Sequence, residues 1–273
     1  MPKKSGAQSK NHEIAERTAP PGDVIYQAIY DEGEHELTRS SSALALSGLA
    51  AGLSMGFSFV SEALLHSRLP DAPWAPLISK LGYSVGFLIV ILGRQQLFTK
   101  NTLTVILPLL NRKQASLLGN VIRLWILVLT ANIVGAFLLA WMLGHTSLFD
   151  RDVHEAFYAI ATASTSPSAA TILIRAILSG WLIALMVWLL PFAESARIWV
   201  IVIIAYLVGL AGLPHVVAGN VESFYLVTTG SLPWSKCLTG YLLPSLIGNA
   251  IGGVTLVAVG AHAEFMTAES GKK

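Results

Sequence analysis

Apolar residues in this chain come in long blocks rather than in the short periodic stripes of a soluble fold. Residues 40–61, 124–149, 176–193 and 237–261 contain no Asp, Glu, Lys or Arg. A helix crossing a bilayer core needs about 20 consecutive apolar residues, so each block predicts a membrane-spanning helix. The pattern as a whole predicts six, over residues 42–65, 78–110, 114–144, 169–190, 196–229 and 239–263. The second and fifth are too long for a simple span and carry polar or backbone-breaking residues at their centres. Arg94, Gln95, Gln96, Thr99 and Lys100 interrupt one; Gly209, Gly212, Pro214, His215 and Gly219 interrupt the other. Irregular backbone at membrane depth is tolerated only where protein or a water-lined cavity satisfies it, so both are read as broken helices.

Flanking segments complete the organisation. Residues 1–22 are polar and end in Pro20 and Pro21, which predicts a disordered tail. In 23–39, Val24, Ile25, Ala28, Ile29 and Leu37 recur near helical spacing among acidic residues, which predicts an amphipathic helix on the membrane surface. The transmembrane domain is expected over 40–263, followed by a short tail, 264–273. The connection around Asp150, Asp152 and Glu155 is read as a loop.

Broken helices in second and fifth place divide the chain into two three-helix halves. The third helix carries Asn132-Ile-Val-Gly135-Ala136 and the sixth Asn249-Ala-Ile-Gly252-Gly253. The first has Gly48, Gly52 and Gly56 at four-residue spacing, and the fourth Ala176, Gly180 and Ala184. Small residues so spaced let helices approach closely in lipid. An odd number of spans per half makes the repeat inverted, and paired broken helices in such a repeat point to a transport site near the midplane. The tail lysines and Arg112-Lys113 fall on one side of the membrane and the acidic third connection on the other, which predicts that both termini are cytoplasmic.

Composition narrows the function classes. The chain is 53% hydrophobic and 12% charged, with a net charge of +2, which gives no basic surface for nucleic acid. The single Cys237 offers neither a disulfide nor a metal pair. No zinc or P-loop signature occurs, so no metal or cofactor is expected. Gly52-Leu-Ser54-Met-Gly56 matches the nucleophile elbow of serine hydrolases, but that elbow needs a strand, a turn and a helix. Here it falls inside one apolar helix, so an intramembrane serine protease is a minor alternative. The functional candidates are the polar groups at the two breaks. His215 is the titratable group at an apex, placed to attract an anion or to lend it a proton, and Thr99 is its expected hydrogen-bond partner. Leu97 and Phe98 would narrow the pathway, with Leu213 as their counterpart. Arg94 and Glu222 are candidate charges that pair with each other, lie at the pore ends or line the pathway.

Leu97-Phe98-Thr99, Gly212-Leu213-Pro214-His215 and Leu243-Pro244 with Gly248, Asn249, Gly252 and Gly253 resemble the formate/nitrite transporter family, over about residues 30–263. The runs Gly93–Thr99 and Ser179–Trp188 resemble its YfdC-type branch. The resemblance implies an aquaporin-like protomer, a homopentamer in the bacterial inner membrane and one pore per protomer for small monovalent anions such as formate or nitrite. It places the family's central histidine on His215, its L-F-T loop on Leu97, Phe98 and Thr99, and its following asparagine on Asn220, one residue late. This chain departs in having Pro214 where Glu is common, Gly180 where Asn is frequent, and Arg94-Gln95 before the L-F-T loop. An aquaporin-like channel for neutral solutes shares the architecture, but neither break contains N-P-A.

Overall fold

The computed structural model describes residues 21–270, without the side chains of residues 256, 257 and 268–270. The expected disordered tail therefore lies outside the described residues except for its last two. Every described element is helical. Helix α1 (Gly22–Thr38) precedes α2 (Ser41–Arg68), which begins where the Ser40 hydroxyl accepts the Ala43 amide. Helix α3 (Ala75–Leu92) starts with Pro76 in its first turn, where a missing N–H costs nothing. Pro76 thus opens the second span rather than lying in the loop before it. After a break come α4 (Phe98–Thr104) and α5 (Ile106–Arg112). The long α6 (Ala115–His145) follows.

The acidic connection is not a loop. It folds as α7 (Arg151–Thr165), capped by Asp150, whose carboxylate accepts the Val153 amide. Val153, Ala156, Phe157 and Ile160 form its buried face. Helix α8 (Ala169–Leu189) is capped by Ser168, and after it α9 (Arg197–Leu210), a second break and α10 (Ala218–Thr228) make the other interrupted unit. Helix α11 (Trp234–Thr267) contains π-helical stretches at Cys237–Leu242 and Gly252–Val259.

Among the described residues, α2, α3, α6, α8 and α11 are long and apolar enough to cross a membrane. The outer faces of α2 and α8 leave Leu46 70% and Ile174 62% exposed, and Trp199 on α9 is 66% exposed. Such side chains face lipid or another apolar surface, because water does not support them at this density. This is a multi-pass helical membrane protein. Helices α2 and α6 cross through their glycines: a Cβ at Gly52 would strike the Asn132 backbone, and one at Gly135 the Leu49 carbonyl. Helices α8 and α11 cross in the same way at Gly180, against Asn249, and at Gly252, against Ile177. The small-residue faces lie inside the chain's own helix packing.

Candidate functional site

The two breaks are built to one plan. Helix α3 ends with Arg94 at φ 49°, its amide donating to the Ile91 carbonyl (3.2 Å) and the next amide, Gln95, to Val90 (3.0 Å). Helix α9 ends with Gly212 at φ 58°, its amide donating to Gly209 (3.2 Å) and that of Leu213 to Val208 (3.0 Å). Both are left-handed helix stops that satisfy otherwise orphaned carbonyls. Beyond each stop the chain turns inward and is held by an asparagine. Asn132 on α6 donates to the carbonyls of Gly48 (2.7 Å) and Gln96 (2.8 Å) and accepts from the Phe98 amide (2.9 Å). Asn249 on α11 donates to Ala176 (2.8 Å) and Pro214 (3.0 Å) and accepts from the Val216 amide (2.8 Å). One amide side chain thus meets three backbone groups that water cannot reach.

These matched bonds set the register between the breaks. Phe98 corresponds to Val216, Leu97 to His215, and Gln95 to Leu213. Leu213 is therefore not the counterpart of Leu97 and Phe98: side-chain character pairs them, but the backbone bonds do not. At the centre, Thr99 Oγ1 and His215 Nε2 lie 2.7 Å apart, both fully buried. The opposite ring nitrogen, Nδ1, accepts from the Ala218 amide at 3.2 Å. A phenylalanine that the sequence did not single out, Phe87 on α3, packs edge-on against the imidazole with centroids 5.1 Å apart. Leu97 and Phe98 are buried, and the Phe98 ring stands against Trp125 at 5.6 Å. Asn220 is also buried, but its amide donates to the Val216 carbonyl and its Oδ1 accepts from Ser223, so it secures the first turns of α10.

A cavity opens at each break. One, of about 300 Å³, reaches Gly212, Leu213 and Pro214 and is lined by Glu62, Lys80 and Glu222. The other, of about 260 Å³, is lined by Arg94, Gln95, Lys100 and Arg197. They lie at opposite ends of α3 and α8: Lys80 and Arg175 belong to the first cavity, Ile91 and Val187 to the second. Arg94 and Glu222 accordingly belong to different cavities and do not pair. Glu62 pairs with Lys80 at 2.5 Å, and neither was singled out from sequence. The available signal was a carboxylate in the last turns of an apolar helix, which needs a cation nearby. Ser54 sits in mid-α2 and lines neither cavity, and among the described residues no histidine bonds to it.

The second cavity is roofed by α1. Glu32 pairs with Lys100 (2.6 Å), Glu34 with Arg112 (2.6 Å), and the buried Glu36 carboxylate accepts from the Gln96 side chain (2.7 Å). Gln96 in turn accepts from Asn101 (3.0 Å). Glu36 and Gln96 tie α1 to the first break through a buried network.

The sequence profile described as formate/nitrite transporter matches residues 23–263. The chain belongs to the formate/nitrite transporter family. Inner membrane protein YfdC of Escherichia coli (strain K12) is 39% identical over 267 residues, covering 97% of this chain and 86% of that protein. The formate channel BtFdhC of Bacillus thuringiensis is 27% identical over 258 residues, covering 91% and 97% respectively. Among solved structures, a chain described as an FNT family ion channel superposes with a TM-score of 0.77 at 19% identity, over 89% of this chain and 99% of that one. A pentameric formate channel with formate bound gives 0.72 at 18% identity, over 83% and 98%. At that identity the structures establish a shared formate/nitrite transporter fold, and with it an all-helical membrane protein.

Proposed function

We propose that this family member is a channel-like transporter of small monovalent anions, formate or nitrite in kind, across the bacterial inner membrane. In this reading the protomer has six crossings in an aquaporin-like, inverted three-plus-three arrangement, α1 lies at the membrane surface, and both termini are cytoplasmic. Five protomers assemble around an axis, each with its own pore. The similarity to the Bacillus thuringiensis formate channel and to the pentameric formate channel supports substrate class and assembly. The observation that carries the reading is the buried Thr99–His215 contact, which joins the two breaks between cavities at opposite ends of the helices.

We extend the proposal to the part a proton takes, which the ring's hydrogen bonds support. Nδ1 of His215 accepts from a fixed backbone N–H, so Nε2 carries the proton of a neutral ring and donates to Thr99 Oγ1. An imidazolium would set a second N–H against the Ala218 amide. Isolated anions are costly to move into such a dry contact, so the weak acid crosses as its neutral form after meeting a proton in the vestibule. His215 and Thr99 then act as a hydrogen-bonding pair on that neutral acid. Leu97 and Phe98 keep the crossing dry, and Asn220 holds α10 in place behind His215.

Formate uptake into proteoliposomes, followed across pH, tests this. For an acid of pKa about 4, the neutral fraction grows about tenfold per pH unit of acidification above the pKa. Uptake is expected to follow that rise in the wild type. His215→Asn is expected to slow uptake while keeping the same pH slope. Loss of the slope in a folded His215→Asn variant would return the proton to the ring. Equal passage of an uncharged solute such as glycerol would favour a neutral-solute channel.

A further inference from the structure

Arg94 stands where its counterpart in the other half is a glycine. Left-handed backbone is unfavourable for any residue with a Cβ, and Gly212 fills the matching stop without strain. An arginine held in that conformation points to work done by its side chain. That side chain lines the cavity roofed by α1 and makes no hydrogen bond or ion pair among the described residues. A second guanidinium, Arg197 at the start of α9, lines the same cavity. Among the described residues its Nε is buried without an acceptor, and its one hydrogen bond is a long one, 3.5 Å, to the Leu190 carbonyl. The third cation, Lys100, is already neutralised by Glu32. Half-buried Gln95 adds an amide whose Oε1 atom is buried with no donor among the described residues.

We propose that Arg94 and Arg197 form an anion-holding station, where a small carboxylate or planar oxyanion docks before it meets Leu97 and His215. Guanidinium groups suit this role because their donors match the paired oxygens of such anions, whereas an ammonium offers a point charge. About 260 Å³ accommodates a small anion with part of its water. The Glu32–Lys100 pair beside it leaves the positive charge concentrated on the two arginines. The station deepens the reading of an anion pore and rests on it for the anion's onward path.

The test reads charge selection without transport. With Cys237→Ala removing the buried native thiol, Ala28→Cys places one reporter thiol on the cavity wall. Its labelling rate is measured in the purified full chain with an anionic sulfonatoethyl and a cationic trimethylammonioethyl methanethiosulfonate. The anionic reagent is expected to react faster, and the ratio of rates to fall about tenfold in Arg94→Gly, a change that suits the backbone there. Arg197→Gln is expected to lower it similarly, and millimolar formate to slow anionic labelling only when both arginines are present. An unchanged ratio in both variants, or a thiol unreactive to both reagents, would overturn the station. Formate uptake by the same wild-type protein is scored separately. Absent uptake with charge selection intact would refute the transport reading, and uptake without charge selection would refute the station alone.

Discussion

Asn132 and Asn249 were legible in the sequence as marks of a repeat, but their task was not. A residue pattern shows that two asparagines recur, whereas only coordinates show three backbone groups converging on each. His215 and Thr99 were legible together because the two breaks had to meet if the halves were related. Phe87 was not, because nothing in an apolar helix marks which ring will face an imidazole. Replacing Asn132 with Ala would strand the Phe98 amide and the Gln96 carbonyl, at about 1–3 kcal/mol for each buried group left unpaired. A melting temperature several degrees lower is expected in detergent, and Asn132→Asp, which keeps the acceptor and loses the donor, is expected to fall between. Arg94→Gly relieves the left-handed backbone at that position. Its melting temperature is expected to equal or exceed the wild type, and a clear fall would show that the side chain is structural.

Helices were read from the sequence to within a few residues wherever charge was absent. Helix α7 is not legible in that way, because its acidic residues interrupt the apolar run that marks a span while its buried face keeps helical spacing. Glycine faces at the α2–α6 and α8–α11 crossings were read correctly, since in lipid close backbone approach is the main use for such spacing. Gly52→Leu is expected to abolish folded yield, because its side chain would occupy the Asn132 backbone. Normal yield of an intact oligomer would contradict that crossing. The hold of α1 is expected to be uneven. Its outer pair, Arg112–Glu34, is solvent-accessible and screened by water and salt, whereas Glu36 and Gln96 are buried. Hydrogen exchange over residues 22–38 is expected to quicken more in Gln96→Leu than in Arg112→Ala; the reverse order would place the hold at the surface.

Across the whole molecule, each break is fastened by an asparagine from its own half. The Asn132 bonds stay within residues 48–132, and the Asn249 bonds within 176–249. The halves meet through packed helices and through Thr99 and His215, and only the short segment between α6 and α7 leads covalently from one set of clamped elements toward the other. Continuity of the chain is therefore dispensable for setting either re-entrant turn. Two polypeptides, divided between His145 and Arg151 and made together in one cell, are expected to find each other in the bilayer and co-purify as a complex. Each piece would arrive with its own turn already fastened.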